Sequence, residues 1–336
     1  MKLKLLFLVL LFSTICQAQV DLRNDDRQDL YKEKKLTKFK NTETIFVLPE
    51  NVSTEKCEAL LNEYWTATPF KLVTYEDFNM FDYLQKDHSF VQLELLKIYR
   101  NNQLMTFINY MHFFVVENST KLLSKLENTK PKKRNKKLKN SIHNYVVDYT
   151  KVDLYLKNEF NSLIYTSTDE ELIFKFYTEN VFHNLNEGFF KNYIQQLNES
   201  FSDNIDLGLH SGEYSGRLKD LANQKLYIPA YVAIKLNKFT RTADENVDYF
   251  TKVFDEYTFD TEIMTAEDIS QKIINNDDFY YLRLVRTDHL HFDIVHSISG
   301  DIIYSYTAGL IRANLTPKDI RGLNKKIKKA VKKYNK

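Results

Sequence analysis

The chain has 336 residues, of which 43% are hydrophobic and 27% are charged, and its formal net charge at pH 7 is +2. This composition excludes an intrinsically disordered chain, because it supplies enough apolar side chains to bury a sizeable core. The chain contains 7 glycines, the first of which is Gly188, so a glycine-rich phosphate-binding loop is excluded from its first half.

The N-terminal segment 1–18 has the pattern of a secretory signal peptide. Two lysines precede an apolar run, and the small residues Cys16 and Ala18 stand where a signal peptidase requires them. We therefore predict cleavage near Ala18 and export to the periplasm or the cell exterior. No other run is apolar over a bilayer-spanning length, so we expect no transmembrane segment in the mature chain. Residues 19–43 are predicted to form a polar leader.

Cleavage at this position would leave Cys57 as the only cysteine of the mature chain. The sequence then predicts a protein without an intramolecular disulfide bond. An exported chain of this length without disulfide bonds is typical of a bacterial periplasm or outer surface. Because Cys57 lies on the apolar side of a predicted helix, we interpret it as a buried core thiol and not as a nucleophile.

Residues 44–117 are predicted to form a first α/β unit, in which apolar residues recur first with strand and then with helix spacing. Its predicted elements are, in chain order, a strand at 44–48, a helix over 57–64, a strand at 70–73, a helix capped by Thr74, a strand at 90–99 and a β region at 104–116 with a turn near Asn109. The long strand at 90–99 is indicated by alternation of apolar and polar residues.

Residues 225–313 are predicted to form a second α/β unit that repeats the first. Its predicted elements are a strand at 225–228, a helix capped by Thr242 with Glu245, a strand at 261–264, a helix capped by Thr265, a strand at 279–287, and a hairpin of 292–298 and 301–306 with Ser299-Gly300 at the turn. The best match superposes Thr74-x-Glu76-Asp77 on Thr265-x-Glu267-Asp268. In both, the threonine can cap a helix while the acids lie where the helix dipole favours them.

The predicted fold class is therefore α/β (α+β), with two related β-α-β-α-β-β units that contain mixed sheets. A chance resemblance between two ordinary α/β segments is the alternative, since the shared capping motif is short.

Residues 118–224 are predicted to form a basic loop and a mainly helical connector. The run 130–139 carries seven positive charges and no acid, and we interpret it as a solvated loop, with binding of an anionic partner as the alternative.

Residues 314–336 are predicted to form a basic, amphipathic C-terminal helix. Thr316 can cap it, with Pro317 at the first helical position and an acid two residues later. Apolar residues then recur with helical spacing. The opposite face carries Lys325, Lys326, Lys328, Lys329, Lys332 and Lys333. We expect this helix either to dock on its own domain or to bind an envelope protein partner or an anionic envelope surface through these lysines.

The best metal-ligand candidates are His289, His291 and Asp293, which would share one face of a strand. A solvated polar face at the start of that strand explains the same residues and is the interpretation we favour. No catalytic, cofactor or metal motif stands out in the sequence, so no cofactor is predicted. Outside its two basic segments the mature chain is acidic, which argues against general nucleic-acid binding.

These observations favour an exported, non-catalytic binding or assembly protein of the bacterial cell envelope. The alternative is an exported hydrolase with a site between the two α/β units, where His289 and His291 could meet acidic residues. A further hypothesis is peripheral membrane association through the lysines of the C-terminal helix.

Overall fold

The computed structural model describes residues 20–21, 34–50, 52–203, 209–237, 243–245, 247–287, 289–308 and 312–334. The predicted signal peptide and its cleavage position lie outside these residues, as does most of the predicted polar leader. The chain divides into two compact units, one of residues 25–206 and one built chiefly from residues 207–336. A two-residue strand, β1 (Val20–Asp21), comes first in the chain.

The N-terminal unit contains a mixed sheet and several helices. Its strands are β2 (Thr44–Leu48), β3 (Phe70–Thr74), β4 (Ser89–Arg100), β5 (Gln103–Val116) and β6 (Val146–Leu154), and its α-helices are α1 (Lys34–Lys40), α2 (Thr54–Tyr64), α3 (Ser119–Glu127), α4 (Pro131–Ser141), α5 (Leu163–Thr166), α6 (Asp169–Thr178) and α7 (Glu187–Asp203). These five strands lie in the order β6-β5-β4-β2-β3. Strand β2 is parallel to β3 and β4, and the pairs β4–β5 and β5–β6 are antiparallel.

The C-terminal unit contains a second mixed sheet. Its elements are β7 (Leu226–Pro229), β8 (Ile234–Leu236), β9 (Ala243–Glu245), α8 (Val247–Phe254), β10 (Thr261–Met264), α9 (Ala266–Ile274), β11 (Tyr280–Arg286), β12 (Leu290–His296), β13 (Ile302–Thr307) and α10 (Pro317–Tyr334). The five-stranded sheet has the order β10-β7-β11-β12-β13, while β8 and β9 pair separately. Strand β7 is parallel to β10 and β11, and the last three strands are antiparallel.

The two sheets therefore share strand order and strand direction, which confirms the mixed α/β fold class with two similar units. The register agrees as well. Thr44 pairs with Phe70 in one sheet, and Leu226 pairs with Thr261 in the other. Counting forward from Phe70 and Thr261 superposes Thr74 on Thr265, which is the alignment predicted from the sequence.

The two threonines also make the same contacts. Thr74 Oγ1 donates to Asp77 Oδ2 at 2.8 Å and accepts from the Asp77 N–H at 3.2 Å. Thr265 and Asp268 repeat both hydrogen bonds at 2.8 Å and 3.0 Å. The helices that follow differ, because Thr265 caps α9, whereas the segment after Thr74 forms a turn and the short 3-10 helix Met80–Tyr83. The α-helix predicted after Thr74 is therefore wrong.

Two local predictions are also wrong. Strand β5 runs continuously through Asn109, because the hairpin turn lies at Asn101 and Asn102, both with positive φ. Glu245 lies in β9 and not in a helical capping box, and Thr242 lies outside the described residues. The predicted connector is largely helical, but it also contains the strand β6, which the sequence analysis did not include.

The basic run 130–139, predicted as a loop, forms most of α4. Pro131 occupies the first helical turn, where a missing N–H costs nothing. Arg134 Nη2 donates to Glu127 O at 3.4 Å, and Lys137 Nζ donates to Lys125 O at 3.1 Å. These side chains satisfy carbonyls at the end of α3, which gives two of the positive charges a structural role.

The core of the N-terminal unit is rich in aromatic side chains. Trp65 makes edge contacts with Phe46 and Phe201 at ring-centroid distances of 5.5 Å and 5.8 Å. Its indole N–H donates to Thr68 Oγ1 at 2.9 Å. Cys57 is fully buried on α2, as predicted, and burial together with the Glu187 carboxylate raises the pKa of its thiol to about 12. Cys57 is therefore a core thiol.

Candidate binding surface

Helix α10 begins at the predicted position. The backbone N–H and the hydroxyl of Thr316 both donate to Asp319 Oδ2 at 2.8 Å, and Pro317 is the first helical residue. Asp319 Oδ1 accepts from Tyr306 at 2.7 Å and from Arg312 at 2.6 Å. Although burial opposes it, these hydrogen bonds lower the pKa of Asp319, so the carboxylate is charged where it anchors the helix.

The apolar face of α10 is docked on its own unit. Ile320, Leu323 and Ile327 are fully buried. Near its end, the ring of Tyr334 packs beside Gly216, 3.6 Å from where a side-chain carbon would stand, which is an ordinary van der Waals distance. Lys219 Nζ donates to Tyr334 O at 3.2 Å and satisfies a carbonyl of the last turn.

The opposite face of α10 presents cations to solvent. Lys318 is exposed in the first turn, and the exposed lysines further along the helix are Lys325, Lys328, Lys329, Lys332 and Lys333. We call these five residues the lysine face. Within the part of the chain that the structure describes, none of their ammonium groups lies within 4.0 Å of a carboxylate oxygen. Lys332 and Lys333 lie in the last turn, where the helix dipole favours cations.

The sixth predicted lysine, Lys326, has a different role. Its Nζ donates to Gly212 O at 2.6 Å and lies 5.5 Å from the centre of the Tyr214 ring. Lys326 therefore ties α10 to the segment before the 3-10 helix Gly216–Ala222. One turn nearer the start of α10, Arg321 is paired with Glu256 at 2.6 Å. The unpaired cations are thus concentrated in the second half of the helix.

Two of the three metal-ligand candidates, His291 and Asp293, lie in a buried ion-pair cluster. The two ring nitrogens of His291 lie 2.8 Å from Asp293 Oδ1 and 2.8 Å from Thr307 Oγ1. Arg283 Nη2 donates to Asp293 Oδ2 at 3.2 Å, and both side chains are fully buried. His289 precedes the strand and is half-buried. The predicted solvated face is wrong, because every residue of β12 is buried.

This cluster holds its charges by mutual pairing. Burial alone would raise the pKa of Asp293, but His291 and Arg283 lower it, so the carboxylate stays ionised. Within the described residues, no group of three or more His, Cys, Asp or Glu side chains is placed to hold a metal ion. The geometry gives His291 and Asp293 a structural role in joining β11, β12 and β13.

The N-terminal sheet contains a second cluster of charged side chains, which the sequence analysis did not predict. The Nδ1 atom of buried His112 lies 3.1 Å from Glu94 Oε2, and its Nε2 atom lies 2.9 Å from Asp148 Oδ1. Lys151 Nζ lies 3.4 Å from Asp148 Oδ2 and 4.9 Å from the centre of the Tyr110 ring. Sequence spacing gives no signal for this cluster, because it joins β4, β5 and β6, and β6 falls in the predicted connector.

The carboxylates control the charge of His112. Burial lowers its pKa, but the contacts with Asp148 and Glu94 outweigh burial and raise it. In turn, His112 is the main cause that lowers the pKa of Asp148 to about 2. The arrangement favours a charged imidazolium that bridges two carboxylates, with neither ring nitrogen available as a base for catalysis.

The chain was compared with protein-family models, with curated proteins and with solved structures, and none of the three comparisons gives a match. None of the helices described here is both long enough and apolar enough to cross a bilayer. The lysine face is therefore interpreted from its own geometry.

Proposed function

We propose that this protein is a non-catalytic binding protein of the bacterial cell envelope that attaches to anionic lipid headgroups through the lysine face of α10. The observation that supports the proposal is the set of five exposed lysines without a described carboxylate partner, on a helix whose apolar face is docked on its own unit. The signal-peptide pattern at 1–18 would bring the chain to such a surface.

The docked apolar face determines the kind of attachment. A free amphipathic helix binds membranes by burying its apolar face among the lipids. In α10 that face is occupied by contacts within the unit, through residues such as Leu323 and Ile327. Binding through α10 would therefore be electrostatic, with the helix lying on the headgroups and no side chain entering the hydrocarbon.

The composition of the lysine face favours lipid headgroups over a protein partner. Lysine is depleted at protein–protein interfaces, whose energetic centres are formed mainly by Tyr, Trp and Arg. On this face, Lys325, Lys328, Lys329 and Lys332 follow one another at helical spacing without an interleaved aromatic anchor. Each lysine near an anionic membrane surface contributes about 1 kcal/mol.

Vesicle sedimentation with the mature chain tests the proposal. We expect binding to phosphatidylglycerol vesicles at low salt, little binding to phosphatidylcholine vesicles, and loss of binding as salt is raised. The double substitution Lys328→Gln and Lys329→Gln should lower the partition coefficient about thirtyfold, since it removes about 2 kcal/mol. Both residues are exposed, so the fold should be unaffected.

A matched control removes the same charge elsewhere. Lys133 and Lys136 are exposed on α4, and their double substitution by Gln should leave vesicle binding nearly unchanged. The lipid proposal is wrong if the α4 variant weakens binding as much as the α10 variant, or if neither variant has an effect. It is also wrong if vesicles do not bind while affinity purification from the native envelope yields a stoichiometric protein whose capture requires Lys328 and Lys329.

A further inference from the structure

A crevice of about 330 Å³ opens in the N-terminal unit at the carboxyl ends of two parallel strands. Strands β2 and β3 end side by side, where Leu48 pairs with Thr74. In open α/β sheets this edge is the usual place for a ligand, because the loops that leave the strands diverge there. The volume lies at the lower end of the range for small-molecule sites.

The lining of the crevice combines both signs of charge with an apolar floor. Its residues are Leu48, Pro49, Glu50, Thr54, Lys71, Leu72, Val73, Thr74, Asp77 and Tyr83. The ammonium of Lys71 lies 5.5 Å from the centre of the Tyr83 ring. Among the residues described, neither Glu50 nor Lys71 forms an ion pair within 4.0 Å. A carboxylate and an ammonium thus line one crevice without neutralising each other.

Backbone contacts hold the segments that carry these groups, and the side chains of Glu50, Lys71 and Asp77 are exposed. The Glu50 N–H donates to Tyr177 O at 2.6 Å, which holds the chain where it leaves β2. Lys71 belongs to β3, and its backbone is paired with Ile45. Asp77 Oδ2 accepts from Thr74, so the second carboxylate of the crevice is held by the capping hydrogen bond.

The internal repeat provides a comparison for this site. In the shared register, Lys71 corresponds to Glu262, which pairs with Lys225 at 2.7 Å. Strand β7 continues directly into the 3-10 helix Ala230–Ala233, in which Tyr231 and Val232 are buried. The position that holds an unpaired cation in the N-terminal unit thus holds a paired anion in the C-terminal unit.

We propose that this crevice binds a small zwitterion of the amino-acid class. Lys71 and the Thr54 hydroxyl receive the ligand carboxylate, Glu50 and Asp77 receive its ammonium, and the apolar residues of the lining contact its side chain. The site is independent of the lysine face of α10.

Equilibrium dialysis of the mature protein against the twenty L-amino acids tests the proposal. Mass spectrometry of the retained fraction should show at least one amino acid held in stoichiometric amount. Calorimetry with that amino acid should then show affinity reduced about tenfold or more by Lys71→Met and by Glu50→Gln, since each removes one charged hydrogen bond. Lys121→Met, at an exposed lysine on α3, is the control and should leave the affinity unchanged.

A comparison of the retained amino acid with its decarboxylated amine tests whether Lys71 binds the ligand carboxylate or acts only through its charge. The wild-type protein should bind the amine about tenfold more weakly than the amino acid, whereas Lys71→Met should bind the two equally, because the carboxylate has lost its partner. Retention of no amino acid, or equal affinities for amino acid and amine in the wild type, overturns the proposal. Vesicle binding by Lys71→Met should be unchanged. A failure of the amino-acid proposal can therefore be distinguished from a failure of the lipid-binding proposal for the lysine face.

Discussion

The two sheets place a charged side chain at the same position of their central antiparallel strand, but they surround it differently. The residue three positions after Ser89 pairs with His112, and the residue three positions after Tyr280 pairs with Asp293. Since Ser89 and Tyr280 are equivalent in the register, so are His112 and Asp293. One sheet carries there a histidine whose charged form is favoured, and the other carries a carboxylate.

The surroundings determine what each charge costs. The Glu94 and Asp148 side chains, which pair with His112, are 33% and 58% exposed, so water still stabilises them. Asp293 and Arg283 are both 0% exposed, and their charges are stabilised only by protein groups. A buried charge without its partner is costly, whereas a partly solvated one recovers its hydration. The comparison shows that equivalent positions of one fold can hold two kinds of ion pair. The buried pair is costly to break, whereas the partly exposed pair can lose a partner at lower cost because water solvates the remaining charge.

The largest effect is expected for Asp293→Asn. The substitution removes the carboxylate that balances the buried guanidinium of Arg283, and such a loss typically costs about 3–5 kcal/mol. Urea denaturation at pH 7 measures the free energy of unfolding. The control is Asp301→Asn, which breaks the pair with Arg217 at 3.1 Å between side chains about 40% exposed and should cost about 1 kcal/mol or less. Equal effects of the two substitutions would contradict this account of the Asp293 cluster.

A smaller, pH-dependent effect is expected for His112→Gln. The variant should lose about 1–2 kcal/mol below pH 6, because the charged imidazolium no longer bridges Glu94 and Asp148. The folded-state pKa of His112 is raised, so its contribution is complete below its ordinary pKa of 6.5 and is lost as pH rises through the raised value.

Urea midpoints of the wild type and His112→Gln from pH 5 to pH 9 measure this dependence, and their difference should shrink with rising pH. Asp148, with its pKa lowered to about 2, remains ionised throughout that range, so it does not contribute to the change. A difference that stays constant with pH would show that His112 acts only through packing.

The smallest effects compare the two equivalent caps. Thr265→Ala should cost about 1 kcal/mol, because Thr265 caps the nine-residue helix α9. Thr74→Ala should cost only a few tenths of a kcal/mol, because Thr74 begins only a turn, and the 3-10 helix that follows is capped by Asn79. Urea denaturation of both variants measures the difference. A larger loss for Thr74→Ala would mean that the turn after β3 is the more important of the two for stability.

Local features of the fold were predictable from the sequence. The capping motifs at Thr74, Thr265 and Thr316 were recognised because their hydrogen bonds join residues three apart. Strand alternation located β4, and helical spacing located the docked face of α10. The shared capping motif was enough to predict two similar units, which the common strand order confirms.

Features that depend on distant pairing were not predictable. The His112 cluster requires β6, which is separated from β5 by 29 residues. Strand β6 also lies in a region whose apolar spacing predicted mainly helices. Burial of the polar face of β12 depends on packing, so His291 and Asp293 were predicted to be solvated. Helix α4 was missed because a run of like charges favours a loop unless carbonyls such as Lys125 O and Glu127 O receive some of the cations.

The environment of Cys57 makes the surface of this protein accessible to site-selective labelling. Maleimides react with thiolates, and a buried thiol with a pKa of about 12 should not react in the folded chain. A cysteine introduced at position 328 in the mature protein would then carry a fluorophore or spin label at one known point of α10. Such a probe would report the approach of a headgroup layer directly, without removing the neighbouring lysines.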